Sequence, residues 1–569
     1  MKWRKLISFI LTVSLTASLS AALFDSKGQS GEPCVMAATN APFNDDWLHT
    51  SGGRIVDAQG REVRLTGINW FGYNTGTNIF DGCWSINMAS GLKAIADHGF
   101  NLLRIPISAE LILSWKNGQY PQANFNASTN PELVGMNSLQ ILDYAVAKCR
   151  DYGIKVMFDL HSLDSNGGGH MYGYWYNGTY SEDRWIESLT WITQHYNGND
   201  TVIAIDLKNE PHENATWDGS NSQNNWRRAA TRAGNAVLNV NPNLLIVIEG
   251  IESYNNQYAF WGANLMGVRD YPIDFGSADR NDQIVYSPHD YGPAVYQQPW
   301  FHGGNFSFNT LYNDYWHNMW LYIKEDNIAP ILIGEWGGLL DGGANQQWMT
   351  LEAQLINRYG LSYTFWCFNA NSGDTGGLVG YDFQTWDEAK YAIVRPTLWQ
   401  TSNGRFIGLD HQVALGSNGV TVTGGASSAY TSTSPQTNPN SVTVTEQDRQ
   451  YALDFIERLY VNMLGRSSDP TGKNYWYQRL VNNTVDGMTL ADGFFFSNEF
   501  TAMSANMSNE QFVRRMYVTI LGRDPDGVGL PYWTQRLDSG AMTREQVYRG
   551  FLGSQEWIGR CNANVLLRP

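Results

Sequence analysis

Two glutamates stand where a buried strand gives out. Residues 202–212 read V-I-A-I-D-L-K-N-E-P-H. The front half, Val202 to Leu207, is a short apolar, β-branched run of the kind found in strands buried on both faces. Pro211 cannot donate to a sheet ladder, so the strand stops there and exposes Asn209 and Glu210 at its exit. A carboxylate beside a carboxamide in such a place costs free energy unless both are used. Taken alone, N-E-P could be a polar cap. Residues 330–336, P-I-L-I-G-E-W, repeat the arrangement with Glu335 at the carboxyl end. Two glutamates on the exits of two buried strands suit a pair of carboxylates facing one substrate bond.

The elements that must position this pair form a repeating pattern of short apolar run, then longer amphipathic stretch, from Ser51 to about Trp399. The runs are 63–70, 101–106, 154–160, 202–207, 244–249, 283–287, 331–334 and 362–368, with helical patterns such as 139–151 and 226–238 between them. Strand alternating with helix predicts a parallel sheet. Eight repeats fit a closed βα barrel, whose active site lies at the carboxyl ends of the strands. The strand ends are polar or aromatic almost throughout: Asn69-Trp70, Arg104, His161, Asn209-Glu210, Glu249, His289 with Tyr291, Glu335 and Trp366. Any one of these reads as a satisfied structural group. On one rim they make a polar bowl lined with flat rings.

The motifs G-I-N-W-F-G at 67–72, L-R-I-P at 103–106, D-L-K-N-E-P-H at 206–212, Y-S-P-H-D-Y at 286–291, G-E-W-G at 334–337 and F-W at 365–366 resemble glycoside hydrolase family five. R-A-G-N-A-V-L at 232–238, V-N-P-N-L at 240–244 and N-S-G-D-T-G-G at 371–377 are similar to its bacterial endo-β-1,4-glucanase branch. The resemblance runs from about Trp47 to Leu398. It implies that Glu335 is the nucleophile and Glu210 the acid/base, protonated at the start, of a retaining double displacement. It implies that Arg104 and Tyr291 attend the nucleophile, that Asn209 meets the sugar 2-hydroxyl, and that His161 and His289 complete the polar shell. Trp366 becomes the floor under the cleaved sugar, followed by a cis peptide to Cys367, and Trp84 and Trp261 become outer sugar platforms. It implies no cofactor and no metal. The Gly-, Tyr- and Trp-rich loop 164–176 departs from the pattern and leaves the outer subsites open.

Composition fits a carbohydrate-active protein. The chain has 569 residues, 43% hydrophobic and 16% charged, with 22 Trp and 30 Tyr. That permits a large core and more than one domain. Sugar rings stack on flat side chains, although aromatics also fill interiors. The formal charge of −16 argues against nucleic acid and anionic membranes as partners. Lys2, Arg4 and Lys5 before an apolar stretch at 6–23 predict an export signal over residues 1–37, hence a secreted product. Cys83, Cys149, Cys367 and Cys561 show no metal-ligand spacing, and no later run is long enough for a membrane span.

Residues 401–445 read as a linker, Ser-, Thr- and Gly-rich from Thr421, although 405–415 is apolar enough to pack on the barrel. The tail 446–569 repeats itself. Leu459-Tyr460, Leu464-Gly465-Arg466, Asp469, Gly472, Tyr475-Trp476 and Arg479-Leu480 return 57 residues later as Met516-Tyr517, Leu521-Gly522-Arg523, Asp526, Gly529, Tyr532-Trp533 and Arg536-Leu537. Both copies read as helical, with Trp476 and Trp533 as core and Asp469 and Asp526 as turn residues. The repeat resembles a bacterial domain of unknown function found on exported proteins.

The expected product is an α/β protein: an eight-fold (β/α) TIM barrel over 38–400, a linker, and a small mainly α-helical repeat module. The expected function is secreted retaining endo-β-1,4-glucanase, with β-glucan as its partner and the module as a binder of cell surface or another protein. The alternatives are the same barrel acting on mannan, xyloglucan or mixed-linkage glucan, and a carbohydrate-binding or attachment protein without catalysis.

Overall fold

The computed structural model describes residues 45–426, 445–481, 485–505, 507–552, 554–562, 564 and 566–567. The expected signal peptide, 1–37, and the linker residues 427–444 lie outside them. Eight barrel strands form on the eight apolar runs: β1 (Thr66–Asn69), β2 (Leu102–Ser108), β3 (Lys155–Ser162), β4 (Val202–Asp206), β5 (Leu245–Glu249), β6 (Ile284–Ser287, resuming as His289–Tyr291), β7 (Leu332–Gly337) and β8 (Ser362–Phe365). All pair in parallel with their neighbours, and β8 returns to β1. Pro288 splits β6 because it has no N–H to give the ladder. The first half pairs with β5 and the second with β7, and a bridge from Tyr286 to Ile331 closes the ring. The architecture is a (β/α) TIM barrel.

Helices such as Ser138–Asp151 and Trp226–Val240 cover the outside, each begun by an asparagine whose side chain accepts from the first turn, Asn137 from Gln140 N–H and Asn225 from Arg228 N–H. Strand alternation decides what the inside holds. Leu102, Met157, Ala204, Val247 and Val285 belong to one apolar cluster. It includes Leu48, Ile55 and Val63 of an antiparallel ribbon (Leu48–Ser51, Arg54–Asp57, Glu62–Val63). Two residues further along four of those strands, the same side carries Arg104, Asp159, Asp206 and Glu249, all buried. The barrel is therefore packed with hydrocarbon at its amino end and with charge at its carboxyl end.

Residues from Thr401 to Val422 fold against the barrel. Ile407, Leu409 and Leu415 are buried, Asp410 pairs with Lys155 at 3.1 Å, and the His411 N–H donates to Asp46 at 3.0 Å. The tail is helical from Glu446–Arg458 to Gln555–Asn562 and has its own core, with Phe455, Leu459, Leu490, Phe512, Ile520 and Phe551. Trp476 and Trp533 pack, partly buried, against that core. Asp469 accepts from Gly472 N–H at 2.8 Å and Asp526 from Gly529 N–H at 2.6 Å, the turn role read from the sequence. The first repeat also touches the barrel wall. Asp492 accepts from the Asn309 amide, and Asp486 lies 3.6 Å from Arg358.

Candidate active site

Arg104 is the hub of the barrel mouth. Fully buried on β2, it donates through Nη1 to Asn69 at 3.0 Å and to Glu335 Oε1 at 2.8 Å. Its Nη2 meets Asp206 at 2.9 Å, Asn209 Oδ1 at 3.1 Å, and Asp159 and Glu249 at 3.2 Å each. Burial alone would weaken its charge, but the surrounding carboxylates outweigh that and hold the guanidinium protonated. Glu335, at the end of β7, is fixed at both oxygens: Arg104 takes Oε1, and the Tyr291 hydroxyl donates to Oε2 at 2.6 Å. Two strong donors leave this carboxyl as an oriented acceptor, the geometry a nucleophile needs.

Glu210 faces it. One carboxylate oxygen of each, together with a ring nitrogen of His289, fall within 4.8 Å of one another. Glu210 sits at φ +48°, a left-handed conformation unusual for a side-chain-bearing residue. Its N–H donates to Glu249 Oε2 at 2.7 Å. Gly262 makes room for this, since a Cβ there would lie 2.3 Å from the same oxygen. His289 Nδ1 is 3.0 Å from Glu210 Oε1, and its Nε2 is 3.1 Å from Glu249 Oε1. Burial would discharge this imidazole, but Glu249 and Glu335 push it well above the usual histidine range. Burial would raise Glu210, yet His289's hydrogen bond and charge bring it below its ordinary value.

The remaining residues complete the bowl. Asn209 gives its oxygen to Arg104, which leaves its amide N–H groups for a ligand. His161 is held by Asp159 at 2.6 Å and lies parallel to Trp366, with ring centroids 5.5 Å apart. Phe71 is also close to parallel with Trp366, again at 5.5 Å, and the Trp366–Cys367 peptide is cis. Trp261 stacks on His212 at 3.8 Å beside the Glu210 exit. Trp84 stands apart, 38% exposed on the rim with its edge against Phe383. Asp159, Asp206 and His212 join the site without having been singled out, and Glu249, read only as one of the polar strand ends, joins as a partner of Arg104, His289 and the Glu210 N–H. The signal for the three acids was inward parity on their strands, which a lone acid at a strand end does not reveal.

Two carboxylates meeting across a polar, ring-lined barrel mouth define a carbohydrate-cleaving barrel enzyme. Residues 56–372 match the family model for cellulase (glycosyl hydrolase family 5), and the chain belongs to that family. It is a glycoside hydrolase, an endoglucanase. It is 46% identical over 468 residues to Endoglucanase G of Acetivibrio thermocellus, covering 73% of this chain and 81% of that one. An endoglucanase of Paenibacillus polymyxa is 40% identical over 349 residues, 60% of this chain and 85% of that one. An endocellulase of Pyrococcus horikoshii, solved with cellotetraose, superposes with TM-score 0.57 and 32% identity over 62% of this chain and 98% of that one. Residues 444–504 and 491–561 match a domain of unknown function, DUF4214. Among the described residues no helix is long and apolar enough to cross a membrane.

Proposed function

We propose that the protein is a secreted, retaining endo-β-1,4-glucanase that cuts internal bonds of cellulose or related β-glucans by double displacement. The observation that carries this reading is Glu335 held between Arg104 and Tyr291 with a Glu210 oxygen within 4.8 Å. Inverting pairs stand roughly 6.5–9.5 Å apart to admit a water, whereas retaining pairs are closer. In the first step Glu335 attacks the anomeric carbon and the glycosidic oxygen leaves with a proton from Glu210. His289, with Nδ1 3.0 Å from Glu210, is placed to share that proton. In the second step the same pair takes a proton from water, which displaces Glu335 and restores the β anomer.

Asn209 is aimed to hold the 2-hydroxyl, whose bond strengthens in the transition state. Trp366, close to parallel with both Phe71 and His161, offers the flat ring beside the cleaved sugar. The cellotetraose bound by the Pyrococcus horikoshii endocellulase supports a β-1,4-glucan as substrate. The test is a time-resolved NMR spectrum of cellopentaose hydrolysis together with a product profile on soluble β-glucans and mannans. β anomer appearing first and oligomers from cellulose-type chains are expected. α anomer first would overturn the mechanism, and preferential mannan cleavage the substrate.

A further inference from the structure

The acid/base glutamate is tied by its backbone as well as its side chain. Its N–H is held by Glu249, and its carbonyl oxygen accepts from His212 Nδ1 at 2.6 Å. The other ring nitrogen of His212, Nε2, faces the Met171 carbonyl oxygen at 3.2 Å. The face of the same ring lies on Trp261, 3.8 Å between centroids and 6° from parallel. His212 itself is buried. One imidazole thus touches the acid/base residue, the middle of loop 164–176 and a sugar platform.

That loop is fixed at its ends and stands out in the middle. Ser165 N–H donates to Glu110 at 2.7 Å, and buried Trp175 donates to Glu182 at 3.0 Å. Met171 and Tyr172 are 54% and 56% exposed. Gly173 lets the loop close on the histidine, since a Cβ there would lie 2.7 Å from the His212 carbonyl group. The two carbonyl oxygens stand at opposite nitrogens of the ring, Glu210 at Nδ1 and Met171 at Nε2, so the two ties can be cut separately.

We infer that His212 is a positioning residue that locks the acid/base Glu210, loop 164–176 and Trp261 into one unit, so that the loop helps to aim the proton at the leaving group. This rests on the reading of Glu210 as acid/base. The ring divides naturally into two variants. An asparagine amide reaches where Nδ1 sits and a glutamine amide where Nε2 sits, so His212→Asn keeps the tie to Glu210 and His212→Gln keeps the tie to the loop.

The experiment compares kcat/KM on phenyl cellobioside, which needs a proton on its leaving group, and dinitrophenyl cellobioside, which does not. Amide exchange over 164–176 is measured in the full chain alongside. His212→Gln is expected to slow the phenyl substrate about 30-fold and the dinitrophenyl substrate less than about threefold, with loop exchange near wild type. His212→Asn is expected to keep the wild-type ratio of the two substrates, speed exchange at 171–173 roughly tenfold, and raise KM for cellopentaose at constant kcat. Equal losses on both substrates in both variants, or unchanged ratios and exchange, would overturn the proposal. Glu210→Gln run beside them separates the two readings. If it too slows both substrates equally, Glu210 is not the acid. If it discriminates and neither histidine variant does, His212 alone is misassigned.

Discussion

The barrel mouth and the helical module treat charge in opposite ways. At the mouth Arg104, Asp159, Asp206, Glu249, His289 and Glu335 are all buried and bonded to one another. In the module the pair Arg466–Glu499 at 2.7 Å returns as Arg523–Glu556 at 2.8 Å, and all four side chains are a third to nearly half exposed. Water can replace a partner lost from the second kind of site but not from the first. The mouth is therefore a set in which each member depends on the others, as chemistry on one bond requires. The module's pairs can vary one at a time, as a repeated surface allows.

The largest effect expected on that contrast is at Glu335. Glu335→Gln keeps the shape and both hydrogen-bonding positions but cannot attack, so kcat should fall by about 10⁴-fold or more with an unchanged circular dichroism spectrum. Residual activity within tenfold of wild type would remove the nucleophile assignment. Next comes Arg104. Arg104→Met leaves four buried carboxyls without their cation, and urea unfolding should register a loss of about 3–5 kcal/mol. A loss below about 1 kcal/mol would mean that the mouth behaves like the module's surface.

His289 sharpens the comparison through pH. Its folded value lies well above the ordinary 6.5. The proton it shares with Glu210 is therefore retained past that point and lost as pH rises through the folded value. Activity should fall along the same limb, and so should the imidazolium's contribution to stability, which is full below 6.5. His289→Asn leaves Glu210 as the only carrier. The alkaline limb of kcat/KM should move down by about one unit or more. A limb that stays in place would show that the proton was never held by the pair.

Much of this was legible in the sequence, for physical reasons that differ between regions. Strands covered on both faces must be apolar throughout, so β3, β4 and β5 announce themselves, and the residues just beyond them fall on the rim by topology alone. Glu210 and Glu335 were found for that reason. Asp206 and Glu249 were harder, because an acid at a strand end looks the same whether it points in or out. The parity of Ala204 and Val247 settles it only once the interior is known to be the plug. His212 was illegible because its partners, Met171 and Trp261, come from two different loops. In the segment after Thr401 the apolar stretch 405–415 was legible as a patch able to pack on the barrel, but its polar anchors, Asp410 to Lys155 and the His411 N–H to Asp46, were not, because their partners lie hundreds of residues away.

Deleting residues 446–569 asks whether the two regions are coupled. The sequence alone offers only a Ser-, Thr- and Gly-rich linker from Thr421 between the two. The structure instead rests the first repeat on the barrel wall through Asp492 and Asp486. Both contacts fall on outer helices, at Asn309 and Arg358, while the catalytic groups stand on the strands. Activity on soluble glucan should therefore stay within about twofold. A loss of tenfold or more would mean that the wall contact reaches the mouth.

The smallest effect is expected at the repeated surface pair, where the comparison can fail most cleanly. Arg523 reaches Glu556 through Nε at 2.9 Å and Nη2 at 2.8 Å, a forked geometry that a lone lysine could not copy. Each side chain is about a third exposed, so solvent and salt screen most of the attraction. A double-mutant cycle on Arg523→Ala and Glu556→Ala should give about 0.2–1 kcal/mol, shrinking as salt is added. The same pair stands 57 residues earlier in the same arrangement, at Arg466 and Glu499, so its salt dependence should match. A coupling above about 3 kcal/mol, or one that salt leaves untouched, would place the pair in a buried setting. The module would then share the mutual dependence seen at the barrel mouth, and a reading of its surface as loosely constrained would have to be abandoned.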